Sequence, residues 1–131
     1  MHTIEIEEPA ILFRINKALK SSLTDYELYE YTRGRWKLNP IRAKKAKYGI
    51  AVFKGVVKEV YEIEDWHHAG STESLRNLDT RSELNSKESF VGRFEFTGKL
   101  ASKSIREKYN NKSVKHYFNQ GNSNPINYVN I

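Results

Sequence analysis

Apolar positions along this chain change their period several times, and each change marks an element. Ile4 and Ile6 alternate with acidic residues, and Ile11, Phe13 and Ile15 repeat the period of two, which predicts two short half-buried strands. At Thr24 the signal turns helical. Thr24 and Glu27 stand three apart as a capping box, and Leu28 lies at helical spacing from Tyr31 and Thr32, so a helix is expected over 25–33 with Gly34 ending it. Asn39-Pro40 breaks the chain, and Pro40 suits the first position of a short basic helix through Arg42, Lys44 and Lys45. The stretch YGIAVFKGVVKEVYEIEDW, residues 48–66, alternates apolar and β-branched residues on both sides of Lys54-Gly55 and reads as a β-hairpin. From 69 to 89 large apolar residues almost vanish, which predicts a mobile surface loop. Phe94 and Phe96 restore a strand period that ends at Gly98-Lys99. Ser102 then caps a short helix with Ile105 and Tyr109 four apart. After the turn-rich 119–125, Ile126, Tyr128 and Asn130 would share one face of a last strand.

Five or six short strands with two or three short helices, without regular βαβ alternation, predict an α+β fold. Its sheet should be small and strongly bent or barrel-like, with helices packed at its ends, because closing a sheet protects its edges. The 131 residues suit one domain, 1–131, with one core. The absence of cysteine excludes disulfides, thiolate metal sites and cysteine nucleophiles. No apolar run approaches the roughly 20 residues needed to cross a bilayer, and the start MHTIEIEEPA has neither a basic n-region nor an h-region. A cytoplasmic location without membrane contact is the expectation.

Charge changes this picture more than composition does. The net charge is +6, but residues 1–30 hold three basic and six acidic side chains, whereas 31–58 hold nine basic and none acidic. Residues 59–90 return to three basic and eight acidic, and 91–131 carry seven against two. If the two basic segments meet in space they make one positive face, the footprint of a phosphate-backbone partner.

Four constellations carry candidate chemistry. In Arg33-Gly34-Arg35-Trp36-Lys37, arginine can grip phosphate bidentately and Trp36 can stack on a base; alternatively Trp36 is a core anchor with the arginines in solvent. The run Arg42 to Lys47 reads as a solvated helix face, of a kind that can also track a nucleic-acid backbone. The segment Lys112 to Phe118, with Lys115, His116 and Tyr117, leads into the Asn-rich turn at Asn124-Pro125. It can offer a pocket wall and hydrogen bonds to base edges, or be a turn whose Asn residues serve their own backbone. In EIEDWHH, His67 and His68 lie near carboxylates, but neighbours on a strand point to opposite faces, so no metal site and no cofactor is expected there. Trp66 is a candidate pocket wall as well as a core or rim aromatic. One concave positive surface is expected to join Arg35 and Trp36 to Lys112–Tyr117.

The stretches TRGRWKL, YGIAVFKGVVKEVYEIEDWHHAG, RFEFTGKLA and KYNNKSVKHYFNQGNSNPINYVNI resemble a family of small uncharacterised bacterial proteins, some of which occur beside restriction or defence modules. They are also similar to the PUA-like group of compact β-barrels, with its PUA, ASCH and EVE domains. That resemblance implies a bent β fold and an RNA or modified-base partner. The GxKxxExR signature of ASCH domains is missing, so no catalytic or base-reading residue carries over. Dinucleotide loops, phosphate loops, GxSxG elbows and HExxH pairs are missing too, and Glu95 and Lys99 stand four apart instead of at ExK spacing. Catalytic residues therefore stay undeclared. The leading expectation is a nucleic-acid-binding module, with a small metal-dependent nuclease of a defence system or a protein-interaction accessory subunit as alternatives.

Overall fold

A computed structural model gives the fold over residues 2–15, 24–72, 92–118 and 124–131. Its strands are β1 (Ala10–Arg14), β2 (Gly34–Lys37), β3 (Tyr48–Phe53), β4 (Val56–His68), β5 (Arg93–Leu100) and β6 (Ile126–Val129). Its helices are α1 (Asp25–Arg33), α2 (Pro40–Ala43) and α3 (Lys103–Tyr109), and a 3-10 turn covers Lys115–Tyr117. The strands form one sheet in the order β2-β5-β4-β3-β1-β6, curled into a half-barrel. The expected bent α+β fold is thus the one observed.

The capping signals act as the sequence implies. Thr24 Oγ1 accepts from the Glu27 amide at 3.1 Å while the Glu27 carboxylate accepts from the Thr24 amide at 3.0 Å. Asn39 Oδ1 accepts from the amides of Ile41 and Arg42, and Ser102 caps α3. Gly34 ends α1 as expected, though not in a left-handed conformation. Its φ of −136° is extended rather than left-handed, and it opens β2 directly from the last turn of α1.

Both faces of the sheet are covered. Along β1, Ala10 and Leu12 enter one core with Ile50, Val52, Val57, Val60, Tyr109 and Val114. Ile11 and Phe13 enter the other with Ala51, Tyr61, Trp66 and Phe96. Pleating sends successive side chains to opposite faces, so a strand buried on both sides must be apolar throughout. YGIAVF of β3 is such a strand, buried from Tyr48 to Val52. Its central place has a further cause: β1 and β3 pair in parallel, with α1, β2 and α2 in the crossover between them.

Two departures from the expected elements bear on the site. The hairpin's second strand runs on to His68 past a bulge between Ile63 and Asp65. Gly98 stands opposite that bulge, where a Cβ would run into the Glu62 carbonyl oxygen. The strand expected at Ile4–Ile6 is instead irregular, although Ile6 is buried and Thr3 bridges Ser113. Tyrosine hydroxyls replace a ladder there: Ile6 N donates to Tyr117 Oη at 2.9 Å and Glu7 N to Tyr109 Oη at 3.1 Å. Of the expected loop over 69–89, residues 73–89 lie outside the described residues, as does most of the Asn-rich turn. Among the described residues no helix is long and apolar enough to cross a membrane.

Candidate functional site

Arg33 was expected to meet phosphate, and the structure buries it at 3% exposure. The last turn of α1 points it back over the sheet, where Nε donates to the Phe96 carbonyl at 2.9 Å. Its remaining nitrogens approach Glu95 at 3.4 Å and Glu30 at 3.5 Å and bond Thr72. Glu95, at 1% exposure, also accepts from the Gly70 and Thr72 amides. Burial explains the correction. Two buried carboxylates require a cation, and a planar guanidinium supplies five donors in a fixed geometry.

Trp36 follows its structural alternative. It lies half-buried against Phe13, with ring centroids 5.0 Å apart, and its indole N–H donates to Thr32 O at 2.7 Å. Trp66, thirty positions on, joins the same cluster at 6.4 Å from Phe13 and 5.5 Å from Phe96. Its indole N–H is buried and finds no hydrogen-bond partner among the described residues. His67 Nε2 lies 3.0 Å from Thr97 Oγ1, and His68 leans on Phe94. No group of three or more His, Asp or Glu among the described residues is placed to hold a metal ion.

The C-terminal segment packs elsewhere. Tyr117 lies against the core that holds Val114, on the face of the sheet opposite Trp36, so Lys112–Tyr117 and Arg35–Trp36 do not share a surface. The acidic N-terminus packs against this segment and α3. His116 pairs with Glu5 at 3.0 Å, Tyr117 Oη donates to the same carboxylate at 3.0 Å, and Lys108 bridges Glu7 at 2.9 Å and Glu8 at 3.4 Å. Burial alone would raise the Glu8 carboxyl, but bonds from Tyr109 and Lys108 outweigh it and hold the group below its ordinary range. Lys108 is raised in turn, chiefly by its bond to Glu7. Asn124 serves its own backbone, its Oδ1 accepting from Ile126 N at 3.0 Å.

Among the described residues, exposed lysines and arginines without an acid partner gather chiefly in two places. The first is α2 with its flanks. Ala43 and Ala46 turn into the core, which leaves Lys37, Arg42, Lys44, Lys45 and Lys47 outward, with Ile41 at 75% exposure among them. None of the five forms an ion pair with an acid among the described residues. The Arg42 guanidinium lies over Tyr128 at 4.2 Å, and Tyr128 Oη accepts from Asn39 N, which ties α2 to the edge strand β6. Arg35 sits beside this group on the other edge strand, β2, in a bulge at φ 72°, its carbonyl bonded by Arg93.

The second group surrounds the turn between β3 and β4. Val114 N donates to Gly55 O at 2.7 Å and Val57 N to Lys112 O at 3.0 Å, which lays 112–115 along the hairpin. Gly55 has φ 78°, and the Lys115 stem lies where its Cβ would be. Lys115 thus lies at the turn beside Lys54, and Lys112 and Lys58 are carried by the segments that the Val57–Lys112 bond joins. Arg14 is close by, stacked over Phe118 at 4.5 Å, with its amide bonded to Pro125 O. The two basic segments thus meet, but through Lys54 and Lys58 instead of Arg33 and Arg35. Sequence reading missed Arg14, Lys54 and Lys58 because each stands alone among apolar neighbours. The one local signal was the Lys54-Gly55 turn, which brings its cations wherever the hairpin docks. No protein-family model, curated protein or solved structure matches the chain, so the site is read from its own residues.

Proposed function

We propose that the protein is a nucleic-acid-binding module whose primary contact is the α2 surface: Lys37, Arg42, Lys44, Lys45 and Lys47, with Arg35 at its margin. The observation that carries this reading is the lack of acidic partners among the described residues for five exposed cations within eleven residues, beside acids that elsewhere in the molecule are engaged. A polyanion neutralises such a surface and releases its counterions in doing so. The Arg42 guanidinium lies over the Tyr128 ring at 4.2 Å, and arginine at such a site can take up phosphate or a base plane.

Binding to single-stranded RNA and DNA, followed by fluorescence anisotropy across salt concentrations, tests this. Neutralising four phosphates on a single strand predicts a loss of about 50-fold in affinity between about 50 and about 200 mM salt. Lys44→Glu with Lys45→Glu should abolish most of the binding. Undetectable binding at about 50 mM salt, or a salt-independent affinity, removes the proposal.

Trp66 favours a base contact as well as a backbone contact, since its buried N–H finds no acceptor among the described residues and an unpaired buried donor is costly. A base edge reaching the Trp36–Phe13–Trp66 cluster would supply one. Trp66→Phe removes only that donor and the larger ring, and a panel including methylated and hydroxymethylated bases reads the effect. A preference for one base that survives the substitution counts against a base seat at Trp66.

A further inference from the structure

We infer a second nucleic-acid contact at the opposite end of the sheet, formed by Arg14, Lys54, Lys58 and Lys115, so that a bound single strand runs along the β6 edge between the two cationic groups. This rests on the nucleic-acid reading of the α2 surface. Its own support is geometric. Lys47 immediately precedes β3 and Lys54 immediately follows it. Six residues at about 3.3 Å each put Lys47 and Lys54 roughly 20 Å apart; because Tyr128 packs on one face of the sheet and Phe118 on the other, a strand that reaches both groups passes around the β6 edge.

β6 connects them. Tyr128 pairs with Ile11, and Ile126 with Phe13, so β6 runs from the Arg14 end of β1 to its Ala10 end. Each end carries a guanidinium held over a ring: Arg42 on Tyr128 at 4.2 Å, and Arg14 on Phe118 at 4.5 Å. Lys54 likewise lies over Phe53, at 5.3 Å. A cation fixed on an aromatic face loses less side-chain freedom on binding, and its ring offers a surface for an unstacked base. β6 ends the sheet, so its outer edge has no neighbouring strand among the described residues. Charge selects the occupant of that edge. Cations at both ends, with no acidic partner for Lys54, Lys58 or Lys115 among the described residues, suit a polyanion better than another β-strand.

The consequence is a length threshold. At about 3.4 Å per stacked nucleotide, roughly six nucleotides span the two groups. Oligonucleotides of about 3 to about 16 nucleotides, titrated by NMR when short and by anisotropy when long, should show affinity rising steeply near that length, beyond the proportional gain from extra registers. Lys54→Glu with Lys115→Glu should lower the affinity of the long strand at least about tenfold and leave the trinucleotide unchanged. Lys54→Gln with Lys115→Gln, milder and less prone to disturb the hairpin, should act in the same direction, with circular dichroism confirming the fold. A step that persists in both variants overturns the inference, as does a smooth length dependence in the wild type while binding itself holds. Sedimentation showing that chains associate through β6 and release nucleic acid also overturns it. Failure to bind at any length removes this inference and the proposed function together.

Discussion

Among single residues, the position of a charge relative to solvent separates structure from function. Arg33 and Lys44 both belong to the acid-free stretch, yet one guanidinium is enclosed by Glu30, Glu95 and the Phe96 carbonyl while the other cation stands in water. Removing Arg33 would leave two buried carboxylates without their cation. Arg33→Ala is expected to cost about 3–5 kcal/mol in a urea titration, because an uncompensated buried charge is penalised more heavily than a lost contact. The fraction that remains folded should bind nucleic acid as the wild type does. A loss of affinity without a loss of stability would return Arg33 to the binding surface. Sequence could not separate these outcomes, since RGRWK presents its three cations alike and only the path of the helix end buries the first.

At the scale of elements, α3 is joined to β4 by a single polar bracket. Arg106 Nε and Nη2 donate to Glu59 Oε1 and Oε2 at 2.8 and 2.9 Å, and Asn110 Nδ2 adds a third bond at 3.1 Å. Burial alone would raise the Glu59 carboxyl, but those donors outweigh it and hold the group below its ordinary value of 4.5. A carboxyl depressed in the folded state contributes stability that is present above its unfolded value, about 4.5, and is lost as pH falls through the lower folded one. The urea midpoint should therefore fall as pH drops below about 4.5. Glu59→Gln should lower the midpoint near neutral pH and flatten that decline; a wild-type slope in the variant would place the acid sensitivity in other groups, Glu8 first among them. Elements themselves were largely legible. Both helix caps and the Lys54-Gly55 hairpin turn are local devices, satisfied within a few residues, so the chain announces them. The segment at 4–7 was misjudged because its alternation is real but its partners lie more than one hundred positions away: the Ile4 amide bonds the Ser113 carbonyl, and those of Ile6 and Glu7 bond tyrosine hydroxyls.

For the molecule as a whole, the net charge of +6 is held unevenly, and the exposed cations of α2 repel one another in the free protein. Lys44→Gln with Lys45→Gln should leave the thermal midpoint unchanged or slightly higher, within about 0.5 kcal/mol, while weakening nucleic-acid binding. A marked loss of stability would show that these lysines hold the fold and would detach them from the proposed surface. The sequence alone determined the class of fold, the helix caps, the apolar central strand and the existence of an acid-free basic stretch, because each depends on neighbours within one turn or one strand. Tertiary structure decided which cations are left for a partner. Ion pairing acts through space, and it joins residues as distant as Glu7 and Lys108 or Glu59 and Arg106. The acidic N-terminus thereby neutralises part of the basic C-terminal segment, Arg33 withdraws into the core, and Lys54 and Lys58 join Lys115 only because the hairpin docks there. Charge order along a chain fixes composition locally, whereas packing decides which of those charges water still reaches.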